Sequence, residues 1–391
     1  RKAFSRELMI LKDWLAKNGV SDFWKFVGDG VSNFYHVYHE IDDKALLQTY
    51  ASAVEMLMKP VQTELPQPQP ARRGDGNLRV GIVSANVRDH SVWRDRMLGL
   101  YRYKPSDVDL YTFSLGIEGA AEREIAQSAS VLYMNEGSQL TSLAQKIKNC
   151  DLDIIYYPEL GLTPAVYKLA CLRLAPIQLT SWGHPITSGI KNVDYYIGNQ
   201  FLDGDDGKNY YSEKLILSKS FPTYFPSTSC VEEDLSSHFS QIDFSKKLLL
   251  APGSAFKYQF GFYKIYADIA QALEGVQIVF FEYDNIIFER NKKKLVEEFS
   301  RREIDLDKLV FMGWLDQKKY RYLQQKSYLM LDSLGFSGIN TVLQALNARL
   351  PVVTQRGRFL RSRLGSGVLD AAGMGKWVAE TPGDYVHLVG E

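Results

Sequence analysis

Apolar and polar positions change rhythm along this chain, and each change marks a boundary. Over residues 1 to about 60 the apolar positions recur at helical spacing with no strand-length run. ELMILKDWL and ALLQTYASAVEMLM are amphipathic, with a glycine-containing break near Gly28–Gly30. PVQTELPQPQPARRGDG, with four prolines, two glycines and few apolar residues, reads as a linker. From residue 78 short apolar runs take over: LRVGIVS, VDLYTFSL, VLYM, DIIYY, PIQLTSW, DYYI and KLIL, several separated by helical runs such as LTSLAQKIKN. That alternation predicts a mostly parallel sheet covered by helices. A second block of the same kind begins near Lys246, with KLLLA, QIVFFEYD and KLVFMGWL as strands and GFYKIYADIAQAL, NKKKLVEEFSRR and DQKKYRYLQQK as helices.

The stretch from Tyr328 to Arg358 is the most informative. YLMLD is a buried-strand run ending in an acid, and LGFSG is a small-residue loop. Ile339, Val342, Leu343 and Leu346 then mark one apolar helix face, and PVVT is the next strand. A loop running into a helix start exposes unpaired N–H groups at the positive end of the helix dipole. The amides of Asn340 and Thr341 and the Thr341 hydroxyl are therefore candidate donors to a phosphate. Lys257 lies in the loop after the second block's first strand, where a diphosphate would need a cation, although a loop lysine is ordinarily just solvated. His90 and His184 each stand directly beyond a strand end of the first block, the edge at which open α/β sheets bind ligands. His36 and His39, three apart in FYHVYHE, read as packing or surface groups on one helical face.

Composition narrows the possibilities. A chain of 391 residues is too long for one ordinary core. Lys plus Arg equals Asp plus Glu at 46 each, which argues against general affinity for nucleic acid or anionic membrane. No apolar run is long enough to span a membrane. Three cysteines (Cys150, Cys171, Cys230) without metal or disulfide spacing suggest a reducing, cytoplasmic setting. An Arg start and a VHLVGE end suggest a piece of a longer protein. The two Asp-Leu-Asp triplets, at 151–153 and 305–307, read as caps or turns and not as metal ligands. No G-x-G-x-x-G follows the first strand, so a nicotinamide dehydrogenase lacks support.

Five segments then carry a family resemblance. RVGIVSANVRDHSVW, RLAPIQLTSWGHPITSGIKNVDYYI, YSEKLILS, APGSAFKY and LDSLGFSGINTVLQALNARLPVVTQRGRFLRSRLGSG, in that order, resemble the SPINDLY-type, O-GlcNAc-transferase-like glycosyltransferases, and more narrowly their bacterial branch. The resemblance spans roughly residues 30 to 388. It implies an α/β GT-B fold, two Rossmann-like domains facing a cleft, preceded by a helical extension that ends a tetratricopeptide-like array. The expected domains are 1–60 helical extension, 61–76 linker, 77–240 acceptor-side and 241–391 donor-side.

The implied activity is inverting, metal-independent transfer of a GlcNAc-like sugar from a nucleotide sugar to a protein or peptide Ser/Thr hydroxyl. No cofactor is implied beyond that co-substrate, with a UDP-sugar favoured. His90, His184 and Lys257 are the catalytic candidates. Ser337, Gly338, Asn340, Thr341, Gln344 and Trp314 form the donor-binding set. His184 falls where several relatives carry Tyr, Asn340 replaces one of two paired threonines, Ile339 replaces a His, and Gln344 replaces an Asp on the ribose. These departures keep other sugars open, such as fucose, glucose or a nonulosonic acid on flagellin. A non-catalytic helical-repeat scaffold is the competing class.

Overall fold

The computed structural model describes residues 2–20, 34–67, 76–88, 90–116, 130–133, 140–221, 223–258, 261–282 and 286–391. The expected break at Gly28–Gly30, half of the proline-rich linker (68–75) and Met134 of VLYM lie outside these residues. The chain divides into two compact units, Arg1–Val37 with Ile41–Tyr224, and Tyr38–Glu40 with Phe225–Glu391.

The first unit is a parallel seven-stranded sheet: β1 Leu78–Ser84, β2 Val108–Ser114, β3 Ser130–Tyr133, β4 Ile154–Tyr157, β5 Ile177–Ser181, β6 Tyr195–Asn199 and β7 Lys214–Ser218. Their order is β3-β2-β1-β4-β5-β6-β7, with every adjacent pair parallel. Helices Lys2–Asn18 and Lys44–Glu64 share the core of this sheet: Leu8, Leu46, Tyr50, Val54, Met58 and Val61 cluster with Ile147, Ile155, Tyr167 and Leu169. The helical segment is thus fused to the first α/β unit. Its second helix runs through Pro60 to Glu64, past the expected linker start, because Val61 and Leu65 are buried and anchor its last turn. His36 and His39 do not share an α-helical face; Phe34–Tyr38 is a 3-10 turn, and the His36 ring packs on Phe4 at 4.9 Å.

The second unit repeats the plan with β8 Lys247–Ala251, β9 Val276–Phe281, β10 Leu309–Met312, β11 Leu329–Leu331, β12 Val352–Gln355 and β13 Val378–Ala379, in the parallel order β10-β9-β8-β11-β12-β13. Its first residues precede the expected boundary near 240, because the segment from Phe225 onward is tied to the helix Gln317–Lys326. Val231 N–H donates to Gln325, and Phe239 stacks on Tyr322 at 5.8 Å. Both sheets reverse direction of winding once, between β1 and β4 and between β8 and β11. Loops leaving the carboxyl ends of those strands frame the crevice where doubly wound sheets take ligands.

Helix Asn340–Asn347 buries only part of the expected face. Ile339, Val342 and Ala345 are buried, while Leu343 and Leu346 are half-exposed. Successive i, i+3 steps bring Ile339, Val342 and Ala345 onto one side of the helix, so Ala345 replaces the leucines in the buried face.

Candidate functional site

In the second unit, β11 ends and Asp332 follows, only 2% exposed. Its Oδ2 accepts from the Ser337 hydroxyl at 2.5 Å and the Thr354 hydroxyl at 2.7 Å. Its Oδ1 accepts from the Gly338 amide at 2.8 Å and the Ser333 amide at 3.0 Å. One carboxylate therefore folds the whole loop 333–338 around itself and ties it to β12. Burial raises its pKa above the usual carboxylate range, opposed by the Ser337 and Thr354 hydroxyls and by the charge of Lys257. The Ser337 hydroxyl is spent in this network, since it also accepts from the Gly365 amide at 2.6 Å. The Thr341 hydroxyl packs against Gly338, where a side chain would leave it no room. Asn340, Thr341 and Gln344 are half-buried on the first turns of the following helix.

Lys257 meets this loop from the β8 side. It ends the 3-10 turn Ala255–Lys257; its Nζ donates to the Ser337 carbonyl at 3.1 Å and stands 4.6 Å from the centre of the Phe336 ring. Lys257 therefore differs from an ordinary solvated loop lysine. The residue keeps some exposed surface, but its ammonium is enclosed, and desolvation pushes its pKa down to about 8 against the pull of Asp332. Lys257, Ser337, Gly338, Asn340 and Thr341 thus gather at the β8–β11 switch point.

Trp314 does not join them: it is 85% exposed in the loop after the edge strand β10. Of the other nearby cations, Arg356 is held by Asp370 at 2.6 Å and Glu380 at 3.0 Å, Arg363 donates to the Gly357 carbonyl at 3.3 Å, and Arg358 is exposed.

The first unit has a matching arrangement. Glu159 follows β4 as Asp332 follows β11, fully buried. Its Oε1 accepts from the Ser84 hydroxyl at 2.6 Å, the Ala85 amide at 3.1 Å and the Asn86 side chain at 3.4 Å, fastening the loop that leaves β1. Desolvation drives its pKa up to about 7, although these donors and the Arg96 charge act the other way. His90 lies at the far end of the fastened loop, half-exposed, and its Nδ1 accepts from the Val92 amide at 3.2 Å. An accepting Nδ1 leaves the proton of the neutral ring on Nε2.

His184 is only 2% exposed. Its ring stacks on Phe34 at 5.6 Å and lies against Gly161, whose positive φ of 111° and missing side chain make the approach possible. The turns Pro158–Gly161 and Gly183–Pro185 are packed backbone against backbone, so Glu159 joins both histidine-bearing loops. The sequence alone did not mark Asp332 and Glu159 as organisers; the signal available was an acid at the end of an apolar strand, directly after β11 for Asp332 and one residue beyond for Glu159.

Among the described residues, no three His, Cys, Asp or Glu side chains gather as metal ligands, and no helix is long and apolar enough to cross a membrane. Of the Asp-Leu-Asp acids, Asp305 accepts from the Asp307 amide at 2.9 Å as a local cap, whereas Asp153 accepts from the Arg79 amide of β1 at 2.9 Å, a cross-strand contact and not the expected turn.

No family model matches the chain. It is 28% identical over 334 residues to a probable UDP-N-acetylglucosamine–peptide N-acetylglucosaminyltransferase SPINDLY of Hordeum vulgare, covering 80% of this chain and 34% of that protein. The protein of the same name from Arabidopsis thaliana is 25% identical over 330 residues, with the same coverages. The chain spans about a third of the length of the curated relatives it matches. Among solved structures it is similar to a Thermobaculum terrenum O-GlcNAc transferase mutant, with a TM-score of 0.74 and 18% identity over 99% of this chain and 72% of that one. The likeness read from the five motifs thus extends over most of the chain, and the fold is of the GT-B class, two Rossmann-like units with N-terminal helices.

Proposed function

We propose that this relative of the SPINDLY-type transferases is a glycosyltransferase that moves a sugar from a nucleoside diphosphate to a hydroxyl of a protein or peptide. The observation that carries the reading is the ammonium of Lys257 set 3.1 Å from the Ser337 carbonyl, beside the start of the helix Asn340–Asn347. A nucleoside diphosphate leaving an anomeric carbon gains negative charge on its terminal phosphate. A fixed cation and the amides of a helix N-terminus meet that charge with no reorganisation during the reaction. Lys257 neutralises, Asn340 and Thr341 hydrogen-bond the phosphates, and Asp332 holds the loop Ser333–Gly338 in the shape that makes this possible. Transfer is inverting and metal-free in this reading, with the role of a divalent ion taken by Lys257 and the helix terminus.

In the first unit, His90 serves the acceptor side. With its proton on Nε2, the neutral imidazole donates a hydrogen bond, which suits orienting an acceptor or sugar oxygen better than removing a proton. Buried His184 shapes the neighbouring loop. UDP-GlcNAc is the favoured donor from the names of the relatives; Gln344 and Ile339 favour a second reading, the same reaction with a different nucleotide sugar.

A panel of nucleotide sugars and their diphosphates, scored by thermal stabilisation and by slow donor hydrolysis, tests the reading. A diphosphate at a hundred times its Kd adds about 2.7 kcal/mol to the folded state. If no nucleoside diphosphate raises the melting temperature, the donor site is not where we place it and the scaffold alternative gains.

A further inference from the structure

The chain joins the second unit for only three residues before residue 225, Tyr38–Glu40, and these touch the Lys257 loop from an unexpected direction. The Tyr38 ring lies 5.0 Å from that of Phe336 at an interplanar angle of 29°, and 5.6 Å from that of Phe256 at 33°. Phe256 immediately precedes Lys257, and Phe336 immediately precedes Ser337. One tyrosine therefore bears on the neighbours of both partners in the Lys257–Ser337 hydrogen bond.

The adjoining residue closes the circuit. The His39 carbonyl accepts from Arg361 Nε at 2.9 Å and from its Nη2. Arg361 is only 3% exposed, and its own carbonyl accepts from the Ser337 amide at 2.9 Å. Tyr38, Phe336, Ser337, Arg361 and His39 thus form a continuous ring of contacts around the Lys257 ammonium's acceptor.

We propose that Tyr38 is a positioning residue for donor binding: its ring clamps Phe256 and Phe336 so that Lys257 stays fixed on the Ser337 carbonyl and shielded from water. The proposal rests on reading Lys257 as the diphosphate's cation. Stacked aromatic pairs are worth more than their buried area alone, and a preorganised, desolvated ammonium binds an anion more tightly than a mobile one. The groups facing Lys257 are the Asp332 carboxylate beyond β11 and the Phe336 ring and Ser337 carbonyl of the loop. Tyr38 adds a ring to this set and no charge.

The test is UDP binding by calorimetry, without divalent ions, on the full chain over about pH 6.5 to 9.5. The variants are Tyr38→Ala, Tyr38→Leu, Tyr38→Phe and Lys257→Met. In the parent, affinity is expected to fall above a pH of about 8 as Lys257 loses its proton. Tyr38→Ala is expected to bind UDP roughly tenfold more weakly near pH 7. Its decline should also move to higher pH, because a wetted ammonium keeps its proton longer. Tyr38→Phe should match the parent on both counts, since the ring and not the hydroxyl is used. Tyr38→Leu fills the space without a stack and decides the matter if Tyr38→Ala does not fold; it too should show the upward shift. Parent-like affinity and pH profile in Tyr38→Leu or folded Tyr38→Ala overturns the role of Tyr38. Parent-like binding by Lys257→Met instead overturns the underlying assignment of Lys257, whatever Tyr38 does.

Discussion

The ammonium of Lys257 donates to the Ser337 carbonyl at 3.1 Å across eighty residues of sequence, joining the loops that leave the two central strands of the second sheet. Neither residue is remarkable in isolation, for one is a loop lysine and the other contributes only backbone. Their meeting follows from topology. β8 and β11 are neighbours from which the sheet winds in opposite directions, so the loops after them share one crevice.

Lys257→Met should therefore lose nucleoside diphosphate affinity without losing stability. Removing a charge-assisted contact to a phosphate costs about 1.5–3 kcal/mol of binding. The folded protein meanwhile is relieved of an ammonium that burial disfavours, as its lowered pKa of about 8 indicates. UDP titration and urea denaturation of the same variant check both halves. A destabilised variant with unchanged affinity would mark Lys257 as a structural residue.

Asp332→Asn should be costly for the fold. The carboxylate accepts from two hydroxyls and two amides, and an asparagine turns one of those oxygens into a donor facing donors. Leaving a buried donor unsatisfied at that end costs about 1–3 kcal/mol, read as a fall in the urea midpoint. Because the same network shapes the loop before Asn340, UDP affinity should fall too. Asp332→Asn with parent-like stability would show that the loop is held by other contacts.

Glu159 gives a pH signature of opposite sense to that of a salt-bridged acid. Its pKa is raised from 4.5 to about 7 by burial, so between those values the unfolded chain ionises while the native residue stays protonated. Stability contributed by this group is therefore complete at low pH and lost as pH rises toward 7. The loss amounts to roughly 3 kcal/mol by linkage. Glu159→Gln cannot ionise, so relative to the parent it should gain about that much between pH 5 and pH 8. Unfolding free energies at the two pH values, parent and variant side by side, provide the comparison. An unchanged difference would mean that Glu159 is ionised throughout, with Arg96 compensating its burial.

Much of this architecture could be read from the residues. The strand runs from LRVGIVS to PVVT all became strands, because parallel strands buried on both faces leave an unbroken apolar run that little else imitates. Neighbouring loops were harder. The loop lysine looked solvated because sequence cannot show that Phe336 and Tyr38 lie close by. Asp332 and Glu159 looked like strand-end punctuation, since their partners (Thr354 for one, Ser84 for the other) are twenty-two and seventy-five residues away. On Asn340–Asn347 the apolar pattern locates Ile339 and Val342 in the buried face but ranks Leu343 and Leu346 above Ala345, because hydrophobicity alone does not show which side of the helix meets its neighbours.

Chelation should leave turnover intact. The candidate cation for the leaving group is an amino-acid side chain, and the Asp-Leu-Asp acids Asp153 and Asp305 are engaged with backbone amides. Donor hydrolysis or transfer measured with and without excess EDTA is the direct check. Strict dependence on an added divalent ion would end the metal-free mechanism and leave the fold assignment untouched.

Gln344 is a candidate nucleotide contact whose role can be tested apart from that of Lys257. It is half-buried on the second turn of the helix whose first residues are Asn340 and Thr341. Helical side chains lean toward the N-terminus, so its amide can reach a ribose lying across that end of the helix. A neutral amide accepts from a ribose hydroxyl more weakly than a carboxylate does, so a glutamine contact of this kind would lower affinity for every nucleoside alike. Gln344→Ala should then lose about 1–3 kcal/mol of binding if the hydroxyl is buried in the complex, and Gln344→Asp should recover part of it. Titrating both variants with uridine, guanosine and cytidine diphosphates distinguishes a ribose contact, which weakens all three alike, from a base contact, which reorders them. If every diphosphate binds both variants as it binds the parent, Gln344 serves helix packing alone and specificity must come from groups that touch the base.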